Sequence, residues 1–495
     1  MKQPGRFLRT GFCKSENGKE LPQMGERLIL ALDIGASSGR GILGRYEEET
    51  GILKMEEIHR FENNYVRMRG GIYWDYVGIY NGVLDCLRAC KKREIPLECI
   101  AIDTWAQDYA YIGHNGEILG LPRSYRDPNH LLHCKDMERD LCMDSKAFYY
   151  RNGGTAGEIS TVRQLYYDRR YRSELFNNAR WWVNMPYLLI YLLSDVAGYD
   201  VTIPALGELI DVKTMDISPE TAMAIGIDKI TPPRFQSGTI MAYTNQTVFE
   251  ATGYDKLPIA CIDAHDTSSA VDALPDTDDF LWISSGTYNM FGAVIQDVVL
   301  NDQLFGMNCR ATPLGDGRIC MMCGAAGMYF IQQCVKYWNE HGMHVTYPEL
   351  TAYALEHDSE TWFSFADLPS APVNMPAEIC AAIEKNGFAA PETPGDLYVA
   401  FANSLARATA QDLLALEKAL GRSFGHVYVL GGGSKADAVN LRIARMTGKT
   451  LYTGLVEAAS IGNLLIQLVA IGAVTREEAA AVSGRSFQMQ KFELK

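Results

Sequence analysis

Several common signatures are missing from this chain, and each gap removes a class of chemistry. No G-x-G-x-x-G opens a helix after a strand, which excludes the dinucleotide-binding unit built on that turn. The one Walker-like fragment, Gly448-Lys449-Thr450, has Ile443 where a P-loop requires its first glycine, so that class goes too. No uninterrupted apolar run reaches the ~20 residues of a membrane span, the nearest being Met185 to Leu193. Residues 1–26 carry basic side chains without the apolar stretch of a secretory signal, and read as a loose N-terminal extension. Positive charge is in deficit: 46 Lys and Arg stand against 60 Asp and Glu, a formal net charge of -14. Nucleic acid and anionic membranes are therefore disfavoured as partners, since both need a basic surface. The longest basic cluster, Lys91-Lys92-Arg93, ends a predicted helix, where cations suit the macrodipole.

Paired metal-ligand spacings are also missing among the 12 cysteines. Cys320 and Cys323 form a C-x-x-C with no second pair and no Cys-His cluster, so a buried strand is the simpler reading. Most others, such as Cys86, Cys90, Cys261 and Cys334, lie inside apolar segments as small buried hydrophobes would. A reduced, cytoplasmic protein is the expectation.

What is present is a long globular chain. At 495 residues, with 47% hydrophobic and 21% charged residues, two large domains are expected. The stretch Leu28 to Arg40, L-I-L-A-L-D-I-G-A-S-S-G-R, runs apolar to Asp33 and then turns rich in glycine and serine. It reads as a buried strand, a tight hairpin and a second strand, with Gly35 and Gly39 supplying positive φ or close backbone approach. Main-chain N–H groups from Ala36 to Gly39 and the Ser37 and Ser38 hydroxyls can converge on phosphoryl oxygens, and Asp33 can hold magnesium through water. An ordinary tight hairpin is the competing reading.

Further along, Ile52 to Phe61 predicts a strand, and Gly70 to Asp75 a turn into a helix from Tyr76 to Lys92 with Val77, Tyr80, Val83, Leu84 and Leu87 on its buried face. A buried strand at Cys99 to Asp103 ends in Thr104-Trp105-Ala106-Gln107-Asp108, polar and aromatic residues at the strand end where α/β proteins bind ligands. Trp105 as a core residue is the alternative. Residues from Asp140 to Ile230 read mainly helical, clearest at Thr161 to Tyr171 and Trp181 to Ser194. The opening pattern then returns: strands at Leu257 to Ile262 and Phe280 to Ser284 run into Asp263-Ala264-His265-Asp266-Thr267 and Ser285-Gly286-Thr287. This recurrence predicts two related domains sharing a cleft, with their boundary and hinge near residues 245 to 256. Helices are expected from Gly324 to Trp338 and Leu397 to Ala419, and a third from Ala436, after the strand Val427 to Leu430 and the turn Gly431-Gly432-Gly433-Ser434.

The ordered set A-L-D-I-G-A-S-S-G-R, E-I-H-R-F, I-D-T-W, Y-R-D, H-D-T-S-S-A-V, S-S-G-T, G-G-G-S and V-E-A-A-S-I-G-N resembles the FGGY carbohydrate kinases of the actin and hexokinase-like superfamily, and within them the rhamnulokinases. The resemblance covers about residues 28 to 475. It implies an α/β fold of two RNase H-like domains facing a central cleft, at 27–250 for the sugar side and phosphate loop and 251–490 for the ATP side and catalytic base. It implies ATP and magnesium, a small ketose, and transfer to a primary hydroxyl. Carried over, Asp266 is the general base; Ala106, His265, Asp266 and Thr267 meet the sugar; Ala36, Ser37, Ser38, Gly39, Arg40, Thr287, Gln332, Gly431, Gly432 and Gly433 meet ATP. Trp105 and Gln107 are expected to join the sugar site, the Gln107 amide offering a donor and an acceptor.

Departures concern the sugar. The usual D-T-W-G has Ala106 in place of its last glycine, Gly324 stands where the family tends to have a sugar-contacting asparagine, and N-E-G-G is replaced by Asn308-Cys309-Arg310-Ala311. L-Rhamnulose leads as substrate, with L-fuculose, L-xylulose and L-ribulose behind it. A non-catalytic sugar- or nucleotide-binding regulator is the reading from another class.

Overall fold

The computed structural model describes residues 25–276, 280–370 and 372–493; the expected extension at 1–26 lies outside them except for its last two residues. A six-stranded sheet runs in the order Thr239–Tyr243, Pro258–Cys261, Cys99–Thr104, Glu26–Ile34, Ser38–Glu47, Ile52–Glu62. Its apolar Glu26–Ile34 strand pairs antiparallel with Ser38–Glu47 and parallel with Cys99–Thr104. A seven-stranded sheet repeats this plan around Phe280–Ser284, antiparallel to Asn289–Ile295 and parallel to His426–Leu430. The recurrence expected from the strand-turn-strand pattern is therefore present as two matching sheets. The first sheet continues to Cys261, past the boundary expected at 245 to 256, because Ile259 pairs with Ile100 in its parallel part.

Period-2 burial decides which core each strand serves. In the second sheet Phe280 and Trp282 join the core of the first half, while Leu281 and Ile283 join a separate core with the long helix Pro394–Leu420. Residue types account for several departures from the predicted elements. Gly71–Trp74 is a strand paired with Tyr65–Met68, not a plain turn. Ala179–Asn184 is a strand with Trp181 and Trp182 in it, so the expected helix there begins only at Met185, where Pro186 suits a helical first turn. Gly324 likewise lies in the strand Ile319–Ala325, and the helix starts at Tyr329. The helix Tyr76–Lys92 forms as read, capped by the Asp75 side chain, though Val77 faces solvent.

Cys309 and Cys323 come together in the second half, with their Cα atoms 4.5 Å apart. Both are buried, and the antiparallel register that sets Arg310 against Met322 sets these two side by side. Among the described residues, no helix is long and apolar enough to cross a membrane.

The two halves are joined by more than their chain connections. The helix Ala458–Ala470, from the end of the chain, lies against the strands Glu26–Ile34 and Cys99–Thr104 and against the helix Asp266–Asp272. Gly44 on the second strand makes room for it: a Cβ there would sit 2.7 Å from Leu464 Cδ2 and 3.2 Å from Ile29 Cγ1. Gly44→Val should therefore lower unfolding stability by ~1–3 kcal/mol through overpacking. Chemical denaturation reads the loss, and in a Leu464→Ala background the same substitution should cost less.

Candidate active site

The turn after Asp33 is held from outside. Gly35 N–H donates to Ser38 O at 2.9 Å, and Asn63 donates its N–H to Ser37 O at 3.1 Å and its Nδ2 to Gly35 O at 2.8 Å. Ala36, Ser37 and Ser38 are left at the surface of the turn. Neither Gly35 nor Gly39 takes a positive φ, contrary to expectation. Gly39 is needed for packing instead, since a Cβ there would overlap the Phe61 ring.

Arg40, expected at the phosphates, folds back onto carboxylates. Its Nη2 lies 2.8 Å from Asp33 Oδ2 and 2.5 Å from Glu457 Oε2, and Ser460 Oγ donates to the same Asp33 oxygen at 2.6 Å. Asp33 faces Asp103 in the parallel register of their strands. Asp103 is fully buried; Asn463 Nδ2 donates to its Oδ1 at 2.5 Å, and its Oδ2 has no hydrogen-bond partner. Burial pushes its pKa well above the ordinary carboxylate range, and the charge of Asp33 adds to the rise. Two facing carboxylates with one orphaned buried oxygen fit a divalent cation whose remaining ligands come from phosphate and water. Among the described residues, no group of three or more His, Cys, Asp or Glu is placed to hold a metal by itself.

Asp266 opens the helix Asp266–Asp272, with His265 at its N-cap position, so Asp266 does not serve as the cap. Its side chain is 39% exposed, its Oδ1 accepts from Thr267 N at 2.5 Å, and His265 Nε2 lies 3.3 Å away. His265 is buried, which lowers its pKa and keeps the ring neutral, and its Nδ1 meets Ser268 Oγ at 3.2 Å. A bridge between Thr104 and His265, with Thr104 N donating to Ala264 O at 2.9 Å, sets the Trp105 turn beside Asp266.

Within that turn the expected sugar residues divide. Trp105 is 7% exposed, and its Nε1 donates to Asp108 Oδ2 at 2.8 Å. Ala106 is 5% exposed and joins the core, so its methyl is taken up by protein. Gln107 is buried at φ +82° and spent internally: its Nε2 donates to Leu206 O at 3.3 Å, and its Oε1 accepts from Thr161 N at 3.1 Å. That amide serves the start of the helix Thr161–Tyr171 rather than a ligand, a correction to the expectation. The half-buried Tyr125, of the Y-R-D motif, was given no role by its sequence. Burial raises its phenol, Arg126 opposes this, and Asp108 and Asp266 both add to the rise, so the ring lies near both carboxylates.

The second half brings its three glycine-rich turns together. Ser285 N donates to Leu430 O and Gly433 N to Ser285 O, both at 2.9 Å; Met328 N and Tyr329 N donate to Gly286 O and Thr287 O, also at 2.9 Å. Gly431 has φ +79°, and a Cβ there would sit 2.9 Å from Ser285 O. Thr287 and Gly432 are exposed, and Gln332 lies half-buried one turn into the helix Tyr329–Glu340. On the remaining side Arg310 Nε pairs with Glu208 Oε1 at 3.1 Å, and Ala311 N donates to Gly153 O at 2.8 Å, tying the halves directly. Gly324 is exposed with nothing within 4 Å of a Cβ built on it.

The chain matches known proteins over most of its length. The model of the FGGY family of carbohydrate kinases, N-terminal domain, matches residues 28–271, and that of the C-terminal domain matches residues 281–471. The chain is 30% identical over 454 residues to a rhamnulokinase of Bacteroides thetaiotaomicron, covering 90% of this chain and 91% of that one. It is 28% identical to a rhamnulokinase of Oceanobacillus iheyensis, covering 94% and 97%. Among solved structures it is similar to a ligand-bound xylulose kinase from Lactobacillus acidophilus, with TM-score 0.77 at 13% identity over 95% of this chain and 94% of that one. Plasmodium falciparum glycerol kinase with ADP gives the same TM-score, identity and coverage.

Buried Asp103 makes stability depend on pH. Folded Asp103 keeps its proton where the unfolded chain, with a carboxyl pKa of ~3.9, has released it. Native stability therefore falls as pH rises above that value and levels off once folded Asp103 has ionised. In thermal melts the advantage of Asp103→Asn over the parent should grow with pH across this window and then stay constant. A difference independent of pH would show that Asp103 carries no such cost.

Proposed function

We propose, from the premise that this chain belongs to the FGGY family of carbohydrate kinases and is thus an ATP-dependent sugar kinase, that it phosphorylates the primary hydroxyl of a ketose, L-rhamnulose before others. The observation that carries the chemistry is Asp266, a part-exposed carboxylate beside a neutral His265 and next to the Trp105 turn. The rhamnulokinase relatives at 25–30% identity over most of both chains support the choice of sugar.

Phosphoryl transfer needs positioning and charge neutralisation more than covalent help from the protein. Asp266 accepts the proton of the sugar hydroxyl as that oxygen bonds to the γ-phosphorus; the bond from the γ-phosphorus to the bridging oxygen breaks, and ADP leaves. His265 and Thr267 flank the sugar, with Trp105 and Tyr125 as its wall. Main-chain N–H groups at Ala36 to Gly39, with Thr287, Gln332 and the Gly431 to Gly433 turn, hold the nucleotide. Arg40 orients Asp33 rather than meeting phosphate. Asp33 and Asp103 are the residues that would hold magnesium, which when bound offsets the negative charge of the phosphates.

A ketose panel with coupled ADP detection tests the reading. L-Rhamnulose should give the highest kcat/KM, and another ketose ahead by tenfold or more, about 1.4 kcal/mol, would replace it as substrate while leaving a sugar kinase. Asp266→Asn should lower kcat by ~10²–10⁴ with sugar binding retained. Sugar binding with no sugar-dependent ADP release from the parent would point to the regulator instead.

A further inference from the structure

Trp74 and Trp105 come from different parts of the chain, one ending the strand Gly71–Trp74 and the other following Cys99–Thr104. Their ring centroids are 4.4 Å apart at an interplanar angle of 43°, and Tyr65 packs edge-on against Trp74 at 6.4 Å. Both indole N–H groups donate to one oxygen, Asp108 Oδ2, at 2.6 Å from Trp74 and 2.8 Å from Trp105. Asp108 is 1% exposed.

A carboxylate buried this completely costs stability unless it answers donors that have no other partner. Its main chain is anchored independently: Asp108 O accepts from Met185 N at 3.2 Å and from Asn184 Nδ2 at 3.4 Å. The side chain is therefore not needed to hold the backbone there. Its other oxygen, Oδ1, makes no hydrogen bond of ordinary geometry, although the Tyr125 main chain and the Gln164 amide act on the carboxyl as weaker donors, so the two indoles supply its well-formed side-chain bonds. Trp105 is the ring that the Thr104–His265 bridge sets beside Asp266, and Tyr125 lies near Asp108 and Asp266 alike.

We propose that Asp108 is the positioning residue of the sugar wall: by clamping both indoles on one oxygen it fixes the plane of Trp105 against Asp266, and so sets sugar affinity without touching the sugar. This rests on the sugar-kinase reading above. An asparagine keeps an oxygen that can accept from both indoles, whereas an alanine strands two buried donors. Losing these two buried bonds should loosen one wall of one substrate site and leave the nucleotide side alone.

The experiment compares Asp108→Ala, Asp108→Asn and Trp74→Phe with the parent, reading sugar KM, ATP KM, kcat and the near-ultraviolet circular dichroism of the sugar-free protein. Asp108→Ala should raise sugar KM ~10–100-fold and alter the tryptophan bands, with ATP KM within about twofold and kcat within about threefold of the parent. Asp108→Asn should return sugar KM to within about threefold. Should Asp108→Ala fail to fold, Trp74→Phe, which removes one donor and keeps the acceptor, should still raise sugar KM ~3–10-fold. Altered tryptophan bands with unchanged sugar KM would overturn the proposal and leave the sugar-kinase reading intact. Equal losses for both substrates would overturn it as a general structural effect. A parent that turns over no ketose would overturn both, while the bands alone still report whether the clamp exists.

Discussion

Two short helices cross so closely that one of them has no side chain at the crossing, and the site depends on that contact. A Cβ on Gly462, in the helix Ala458–Ala470, would overlap the main-chain carbonyl of Ser269 in the helix Asp266–Asp272, and Ser269 Oγ donates to Ala459 O at 3.0 Å. The near helix carries Asp266 at its first residue. The far one presents Ser460 to Asp33 and Asn463 to Asp103. A crossing with ordinary side-chain spacing would separate the proposed base from the carboxylate pair, because helices packed through side chains lie 8–10 Å apart.

Electrostatics follow from that arrangement. Asp33, Asp103, Asp266 and Glu457 gather in one region of an already acidic chain, and the cations drawn to them are few. Arg40 bridges Asp33 and Glu457, while the hydrogen bond to Asp103 comes from the neutral amide of Asn463 and Arg40 reaches it only through space. Burial and the neighbouring Asp33 then favour the proton on Asp103. Such a gathering of carboxylates favours a proton or a positive ligand among them. The Asp108 carboxylate is a different case: burial pushes it up to about 7 against the opposing pull of hydrogen bonds from the two indoles, the Tyr125 main chain and Gln164.

Much of this was legible in the sequence, and what was not has identifiable causes. Apolar runs ending in Gly, Ser and Asp marked the strands Glu26–Ile34, Cys99–Thr104 and Phe280–Ser284 and the turns at their ends, because burial on both faces leaves a continuous apolar signature. Side-chain direction at a turn leaves none. Gln107 read as a ligand amide, yet its positive φ sends it to Leu206 and Thr161, neither of which is near it in the chain. Gly39 read as a turn glycine, yet what it accommodates is Phe61, across a strand pairing. The V-E-A-A-S-I-G-N stretch was legible only as a resemblance: the roles of Glu457, Ser460 and Asn463 need contacts more than 350 residues distant in the chain. Trp181 and Trp182 sit in a strand that an apolar run continuous with the following helix concealed.

The tie between Gly153 and Ala311 has a consequence for how this protein tolerates change. It is a main-chain hydrogen bond between two packed positions: Ala311 is buried, and a Cβ on Gly153, at φ +71°, would sit 2.6 Å from both Ala311 O and Val212 Cγ1. Gly324, two strand positions beyond Met322, which pairs with Arg310, is the opposite case, exposed and with open space where a side chain would begin. Change is thus constrained at the tie between the halves, while a position close to it has room for a side chain. A side chain added at Gly324 would begin in open space, whereas one added at Gly153 would press on the far half of the molecule.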